Sequence, residues 1–167
     1  MIRSAIKSDS DQIAKIYNHY VLNSVITFEE ATVSAEEMCE RICSTLEAEL
    51  PWMVFEQNNK VLGYAYASKW KGRCAYRYAV ETTVYLDQAE HSKGTGSLLY
   101  SELLKQLKER DFHVAIGGIA LPNDSSIGLH EKFGFEKVAH FKEVGYKFGD
   151  WVDVGYWQLT LTAKQTE

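Results

Sequence analysis

Among its 167 residues the sequence has only two prolines and three cysteines, no long apolar run and no surplus of positive charge. Each scarcity excludes something. Cys39, Cys43 and Cys74 are odd in number and are not spaced as a disulfide framework, which points to a reducing compartment, expected to be the cytoplasm. Cys39 and Cys43 stand four apart and can share a helical face, but no His or Cys nearby completes a metal site, so no metal is expected. No apolar stretch approaches the roughly 20 residues of a bilayer span. The opening Met1-Ile2-Arg3-Ser4-Ala5, with Lys7 and Asp9 behind it, does not read as a secretory signal. A formal net charge of -5 argues against general affinity for nucleic acid or anionic membrane. Internal repeats and low-complexity linkers are missing as well, and the length suits a single domain over residues 1–167.

What is there is an alternation of strand and helix patterns. Ile2 to Ile6 is a short apolar strand, and Ser8, Asp9 and Ser10 offer helix caps. Ile13, Ile16, Tyr17, Tyr20 and Val21 then recur at helical spacing. Ser34 followed by Glu37 has the form of a capping box, opening a second helix through Met38, Ile42 and Leu46. Trp52–Glu56 and Val61–Ala67 flank the turn signal Asn58-Asn59 and form a hairpin. Ser68 to Arg77 is polar, aromatic and basic and is expected to be a loop. Val80–Leu86 alternates as a strand, and Leu98, Leu99, Leu103, Leu104 and Leu107 mark an amphipathic helix. His113–Leu121 reads as a central strand, Asn123–Lys132 as a short helix, and Phe135–Phe141 and Val152–Leu161 as closing strands. The order β-α-α-β-β-β-α-β-α-β-β excludes a regular βαβ repeat, because the early strands are joined as hairpins.

Chemistry concentrates where the strand Val80–Leu86 runs through His91-Ser92-Lys93-Gly94-Thr95-Gly96-Ser97 into the Leu-rich helix. The first amides of a helix lack intrahelical partners and carry the positive end of its dipole. Glycines let an anion approach the backbone, and Lys93 adds a full charge. A plain turn before a helix has the same residues, so the loop alone leaves both readings open. It is not a nucleoside-triphosphate loop, since Ser97 and Leu98 follow Gly96. Nor is it a dinucleotide fingerprint, since the third glycine is missing.

His91-x-x-Gly94-x-Gly96 after Val84-Tyr85-Leu86 resembles the pyrophosphate motif of the GNAT acetyltransferase superfamily. Trp70-Lys71-Gly72-Arg73, Val80 to Tyr85, Leu121-Pro122-Asn123-Asp124, Leu129-His130-Glu131 and the run from Gly145-Tyr146-Lys147 to Asp153-Val154-Gly155 resemble the phosphinothricin and methionine sulfoximine (or sulfone) N-acetyltransferases. Tyr17-Asn18-His19-Tyr20 and Pro51-Trp52 are similar too. Nearly the whole chain takes part, with one departure: His91 stands where the superfamily usually has Gln or Arg.

The resemblance implies an α/β chain of the α+β type, with a mixed, mostly antiparallel sheet splayed at the cofactor slot and about four flanking helices. It implies acetyl-CoA as co-substrate, transfer to the α-amine of a small amino-acid-like molecule, and a homodimer. Backbone groups of Val84, Tyr85 and Leu86 would bond the pantetheine arm, with an amide near Tyr85 facing the thioester oxygen. Ser92, Lys93, Gly94, Thr95, Gly96 and Ser97 would hold the diphosphate, joined by Asn123 and Lys132. Glu81 is the implied base, and an amine that is mostly protonated at neutral pH needs one; an exposed or ion-paired strand carboxylate is the plainer alternative. His130 is the second implied catalytic residue, the alternative being a histidine that only packs or caps. Arg73, Cys74, Ala75, Tyr76 and Phe28 are implied substrate contacts, Arg73 suited to a carboxylate, with Lys71, Arg77 and Lys147 as weaker choices. Other readings stay open: an acetyltransferase for a protein N-terminus or polyamine, or an acetyl-CoA-binding module without chemistry.

Overall fold

The computed structural model describes residues 1–91 and 93–161. Its elements are β1 (Ile2–Ser4), α1 (Ser10–Asn23), α2 (Ala35–Glu47), β2 (Trp52–Gln57), β3 (Lys60–Lys69), β4 (Ala79–Leu86), α3 (Thr95–Glu109), β5 (Val114–Ala120), α4 (Asp124–Lys132), β6 (Glu136–Lys147) and β7 (Asp150–Thr160). This is the order read from the sequence. The seven strands form one sheet in the order β1-β2-β3-β4-β5-β7-β6. Every neighbouring pair is antiparallel except β4 and β5, which run parallel.

Side-chain alternation divides the core between the two faces of the sheet. Tyr64 and Tyr85 face α1 and α2, where they pack with Tyr17, Tyr20, Val21 and Ile42. Ala65, Ala67 and Val80 face α3, meeting Leu99, Leu103 and Leu107, which have no exposed surface. Small alanines on that face leave room for the leucine stripe. The capping box forms as written in the sequence: Ser34 Oγ accepts from the Glu37 amide at 3.1 Å, and the Glu37 carboxylate accepts from the Ser34 amide at 3.1 Å.

Three local expectations are revised. Asp9 precedes α1 but does not cap it with its side chain; the carboxylate is held by Arg3 at 2.8 and 2.9 Å and by the Ile6 amide. The segment after β3 is not loop throughout, since β3 runs to Lys69 and Cys74–Tyr76 makes one 3-10 turn. β6 continues well past Phe141, because a register shift between Phe141 and Gly145, with Glu143 at a φ of 51°, lets pairing resume through Lys147.

The decisive feature is a parting of strands. β4 and β5 pair only over Ala79–Glu81 and Val114–Ile116, although both continue. Beyond that point a slot opens in the middle of the sheet. Removal of the cap on α2 tests the packing of the opposite face: Ser34→Ala is expected to lower stability by about 1 kcal/mol in urea unfolding, with an unchanged slope.

Candidate active site

The slot is lined by backbone. In an antiparallel pair, successive residues turn their N–H and C=O groups alternately toward and away from the partner strand. Ala79 O and Asp87 N bond β3 and its neighbouring residues, whereas Tyr78 O bonds the start of β5 and Leu86 O turns the same way, accepting from Tyr20 Oη at 2.6 Å. The register between β3 and β4 is continuous from Val80 to Leu86. The amides of Val84 and Leu86 therefore face the slot, while that of Tyr85 faces β3. The slot-facing amides nearest Tyr85 are thus those of its two neighbours, Val84 and Leu86. The Tyr85 ring packs within a cluster of tyrosines, 5.3 Å from Tyr17 and 5.1 Å from Tyr20 between centroids.

At one end of the slot α3 begins. Gly94 sits at its N-cap with φ of +84°, a conformation costly for other residues. The first intrahelical bond runs from the Leu98 amide to Gly94 O, leaving the amides of Thr95, Gly96 and Ser97 directed out of the helix end. The Thr95 hydroxyl turns inward to the buried Glu90 carboxylate at 3.1 Å, and Lys93 reaches the same carboxylate at 3.1 Å. Lys132, at the end of α4, donates to Ser97 Oγ at 3.0 Å. Ser92 lies outside the described residues. A cavity of about 310 Å³ covers this end, with Val84, Leu86, Gly96, Ser97, Asn123 and Lys132 in its walls. Asn123 caps α4 through Oδ1, which accepts from the Ser126 amide at 3.1 Å; its Nδ2 is not used in that bond. His91, which departs from the superfamily's usual residue, has Nε2 3.0 Å from Tyr20 Oη and so braces the group that ties down Leu86.

A second cavity, about 230 Å³, contains Glu81, Thr83, Gly118, Phe28 and His130. Ile26, Val84, Tyr85, Asn123 and Ser126 line both cavities, so the two form one groove that follows the slot. Gly117 and Gly118 of β5 present opposite faces. A methyl on Gly118 would lie 3.1 Å from Glu81 Oε1, and one on Gly117 would lie 2.3 Å from His130 Nε2. Glu81 and His130 thus sit on opposite sides of β5. Burial pushes the Glu81 carboxyl above the ordinary range, with the charge of Lys71 partly opposing.

His130 is buried and uses both ring nitrogens. Nδ1 lies 2.7 Å from Ser126 O, which can only accept, so Nδ1 carries the proton; Nε2 then accepts from Tyr100 Oη at 2.8 Å. Tyr100 Oη in turn lies 2.5 Å from Thr82 Oγ1. Burial lowers the His130 pKa, the Ser126 carbonyl opposing. Tyr100 and Ser126 were not singled out from the sequence. The only available signal for Tyr100 was a hydroxyl on the apolar stripe of α3.

Arg73, Cys74, Ala75 and Tyr76 are all exposed and line neither cavity. At the beginning of their loop Lys71 Nζ stands 5.0 Å over the Trp70 ring, Trp70 meets Tyr156 edge-on at 5.5 Å, and the Lys71 charge acts on Glu81. Lys147, a weaker choice for a substrate carboxylate, is buried on backbone carbonyls instead. No group of metal-ligating side chains occurs among the described residues.

Residues 2–155 match the sequence profile described as an acetyltransferase (GNAT) domain. The chain belongs to the GNAT acetyltransferases. Membership makes it an acetyltransferase that draws on acetyl-CoA. It is 38% identical to the phosphinothricin N-acetyltransferase of Streptomyces viridochromogenes over 94% of this chain and 85% of that protein. It is 36% identical to the L-methionine sulfoximine/L-methionine sulfone acetyltransferase of Salmonella typhimurium over 96% and 94%. A phosphinothricin acetyltransferase from Sinorhizobium meliloti, solved with acetyl-CoA, superposes with a TM-score of 0.95 at 36% identity, over 100% of this chain and 91% of that one. A Salmonella typhimurium acetyltransferase solved with acetyl-CoA gives 0.95 at 35%, over 99% and 96%.

The His130 environment has a pH consequence. The folded pKa lies below the unfolded value of about 6.5, so between the two the unfolded chain binds more protons. This group's share of stability is complete above about pH 6.5 and is lost as pH falls toward the folded value. Urea unfolding of the native chain and of His130→Gln, compared at pH 7 and pH 5, is expected to show a smaller acid loss in the variant.

Proposed function

We propose that this GNAT domain transfers the acetyl group of acetyl-CoA to the α-amine of a small amino-acid-like acceptor of the phosphinothricin or methionine sulfoximine and sulfone type. The observation that carries the reading is the groove itself: one slot connects an outward-facing cluster of helix amides to a half-buried carboxylate. An amide cluster with Lys132 beside it suits a diphosphate, and an apolar slot edged by unpaired strand amides suits a pantetheine arm. Gly96 lines the cavity at the helix end, and a methyl placed on it would stand in ordinary contact with Leu86 and Leu129, at 3.5 and 3.8 Å.

Bound acetyl-CoA supplies an activated acyl thioester. The residues then divide the remaining work. The Val84 amide, slot-facing, is the donor positioned for negative charge developing on the acyl oxygen, an effect of a few kcal/mol in such sites. Glu81, raised by burial, takes the proton that the amine must lose, directly or through one water. His130, neutral and held by Tyr100 and Ser126, is assigned as a positioning residue that fixes α4 and Asn123 beside the slot. Asn123 and Lys132 hold the cofactor. Phe28 forms the apolar wall of the acceptor cavity.

The acceptor class rests on size and charge. A cavity of about 230 Å³, at whose Glu81 the positive charge of Lys71 is felt, suits a compact molecule with a carboxylate. One observation favours a protein N-terminus: a ribosomal-protein-alanine N-acetyltransferase from Brucella melitensis superposes with a TM-score of 0.94 at 32% identity. The narrow cavity weighs against a peptide. We assign Arg73 to Tyr76, which line neither cavity, to the site of a second copy. β6 is one of the two edge strands and exposes Phe141, Val144 and Tyr146, while Phe148 and Trp151 lie 60% and 63% exposed beside it. Such an apolar edge suits a homodimer. Three free cysteines suit the cytoplasm.

Thiol release with methionine sulfone, methionine sulfoximine, phosphinothricin and an Ala-initiated peptide tests the acceptor class. Turnover with the first three and little with the peptide is expected; no thiol release with any amine would identify a binding module. Glu81→Gln is expected to lower kcat by 10²- to 10⁴-fold with acetyl-CoA affinity nearly unchanged. In the native enzyme the acid limb of kcat/KM is expected above the ordinary glutamate value of about 4.3, and that limb should vanish in the variant.

A further inference from the structure

β6 has one buried side that the reading above leaves without a role. Of the residues from Glu136 to Lys147, only Gly145 and Lys147 are buried. They lie two apart and so share a face of the strand. Both meet the segment between α1 and α2. Lys147 is 1% exposed, and its ammonium donates to Ser24 O and to Thr27 O, each at 2.8 Å. These bonds join positions more than a hundred residues apart. A buried ammonium is expensive unless its protons are used, and burial indeed lowers the pKa of Lys147, Glu30 opposing. Two carbonyls of one short loop, with the Phe148 ring 5.0 Å from Nζ, supply the compensation.

Gly145 acts on the same loop by shape. Its backbone is open to any residue, yet a methyl placed there would fall 2.3 Å from Phe28 Cζ and 2.5 Å from Cε2. The Phe28 ring occupies the volume that a side chain at 145 would need. The bridged loop supplies Ile26, Thr27 and Phe28 to the cavity that holds Glu81. Thr27 is tied from the other side as well, its hydroxyl 2.7 Å from Tyr17 Oη. The loop is thus fixed by main-chain clamps at Ser24 and Thr27 and by a ring seat at Phe28.

We infer that Lys147 and Gly145 are positioning residues for acceptor binding: together they set the height and orientation of the Ile26–Phe28 wall over Glu81, and so which acceptors fit. Neither touches the cofactor end. Thr27 and Phe28, the wall residues they contact, border the acceptor cavity and not the cofactor one, so their effect falls chiefly on the acceptor.

The inference rests on the acceptor cavity proposed above, and the test separates the two. With methionine sulfone as the acceptor, Gly145→Ala and Lys147→Met are each expected to raise its KM at least tenfold, with acetyl-CoA affinity by calorimetry within about twofold of native. Hydrogen exchange of the amides from 25 to 28 is expected to quicken at least tenfold in Lys147→Met, while the amides of α3 keep their protection. In a Phe28→Ala background, Gly145→Ala is expected to have no further effect on KM or melting temperature, since the ring it collides with is gone. Parallel losses for acceptor and cofactor, unchanged exchange at 25–28, or an undiminished Gly145→Ala effect without Phe28 would each overturn the inference. Failure of the native enzyme to acetylate methionine sulfone would instead count against the proposed acceptor class, and exchange together with the Phe28 cycle would then decide the positioning role.

Discussion

Two strands that begin as partners and then separate leave main-chain donors and acceptors facing a gap, and buried main-chain groups seldom go unpaired. β4 and β5 do this beyond Glu81 and Ile116. The arrangement around them limits the penalty. Leu86 O is satisfied by Tyr20, which His91 braces in turn. The far side of β4 keeps its full register with β3, and β5 keeps its full register with β7, so each parted strand is anchored along its other edge. Among the described residues, the facing edges of β4 and β5 beyond Glu81 and Ile116 make no strand pairing, and an extended ligand arm can complete them. The slot is in this sense a sheet waiting for a strand, and the position of every functional group follows from where the parting begins.

Parity does the rest. Because successive residues of β4 alternate, Glu81 falls on one face and Thr82 on the other, and the same alternation in β5 sends Gly117 and Gly118 to opposite sides. The carboxylate faces the acceptor cavity over Gly118. Thr82 enters the buried chain through Tyr100 and His130 to Ser126, which welds α3, α4 and β4 together just where the sheet opens. A histidine and a carboxylate adjacent to the same slot thereby acquire unlike environments: one neutral because it is buried and doubly bonded, the other raised because it is half buried and, among the described residues, accepts no hydrogen bond from another side chain.

Much of this was legible in the residues. Hydrophobic periodicity placed the helices and strands in order, and Ser34 with Glu37 announced a cap that forms as written. Gly94 and Gly96 marked the helix end, since backbone at positive φ and close approach leave a compositional trace. The parting of β4 and β5 left none, because pairing depends on the partner strand and not on local preference. Tyr100 was hidden within a leucine stripe, where an aromatic residue is the ordinary filling of a core. Lys147 was misleading: lying outside the strands read from the sequence, it ranks there as a weaker carboxylate ligand, and only the fold reveals that two carbonyls from residues 24 and 27 converge on it. The length of β6 was obscured by Lys142 and Glu143, which interrupt the pattern at the bulge.

The two ends of the groove differ in what they are made of, and this difference bears on how such a domain changes its acceptor. The end proposed for the cofactor offers backbone: the amides of Val84 and Leu86, and those that open α3. Backbone donors survive most side-chain substitutions so long as the strand parity and the glycine turn are kept. The end proposed for the acceptor is walled by side chains, Phe28 on the loop after α1 and Glu81 and Thr83 on a rigid strand. A change of one ring or one charge there alters the cavity without disturbing the slot. Relatives that share about a third of their residues with this chain can therefore keep one cofactor while bearing the names of different acceptors, and the residues that set acceptor choice include those, such as Gly145 and Lys147, that shape the wall from behind without facing the cavity.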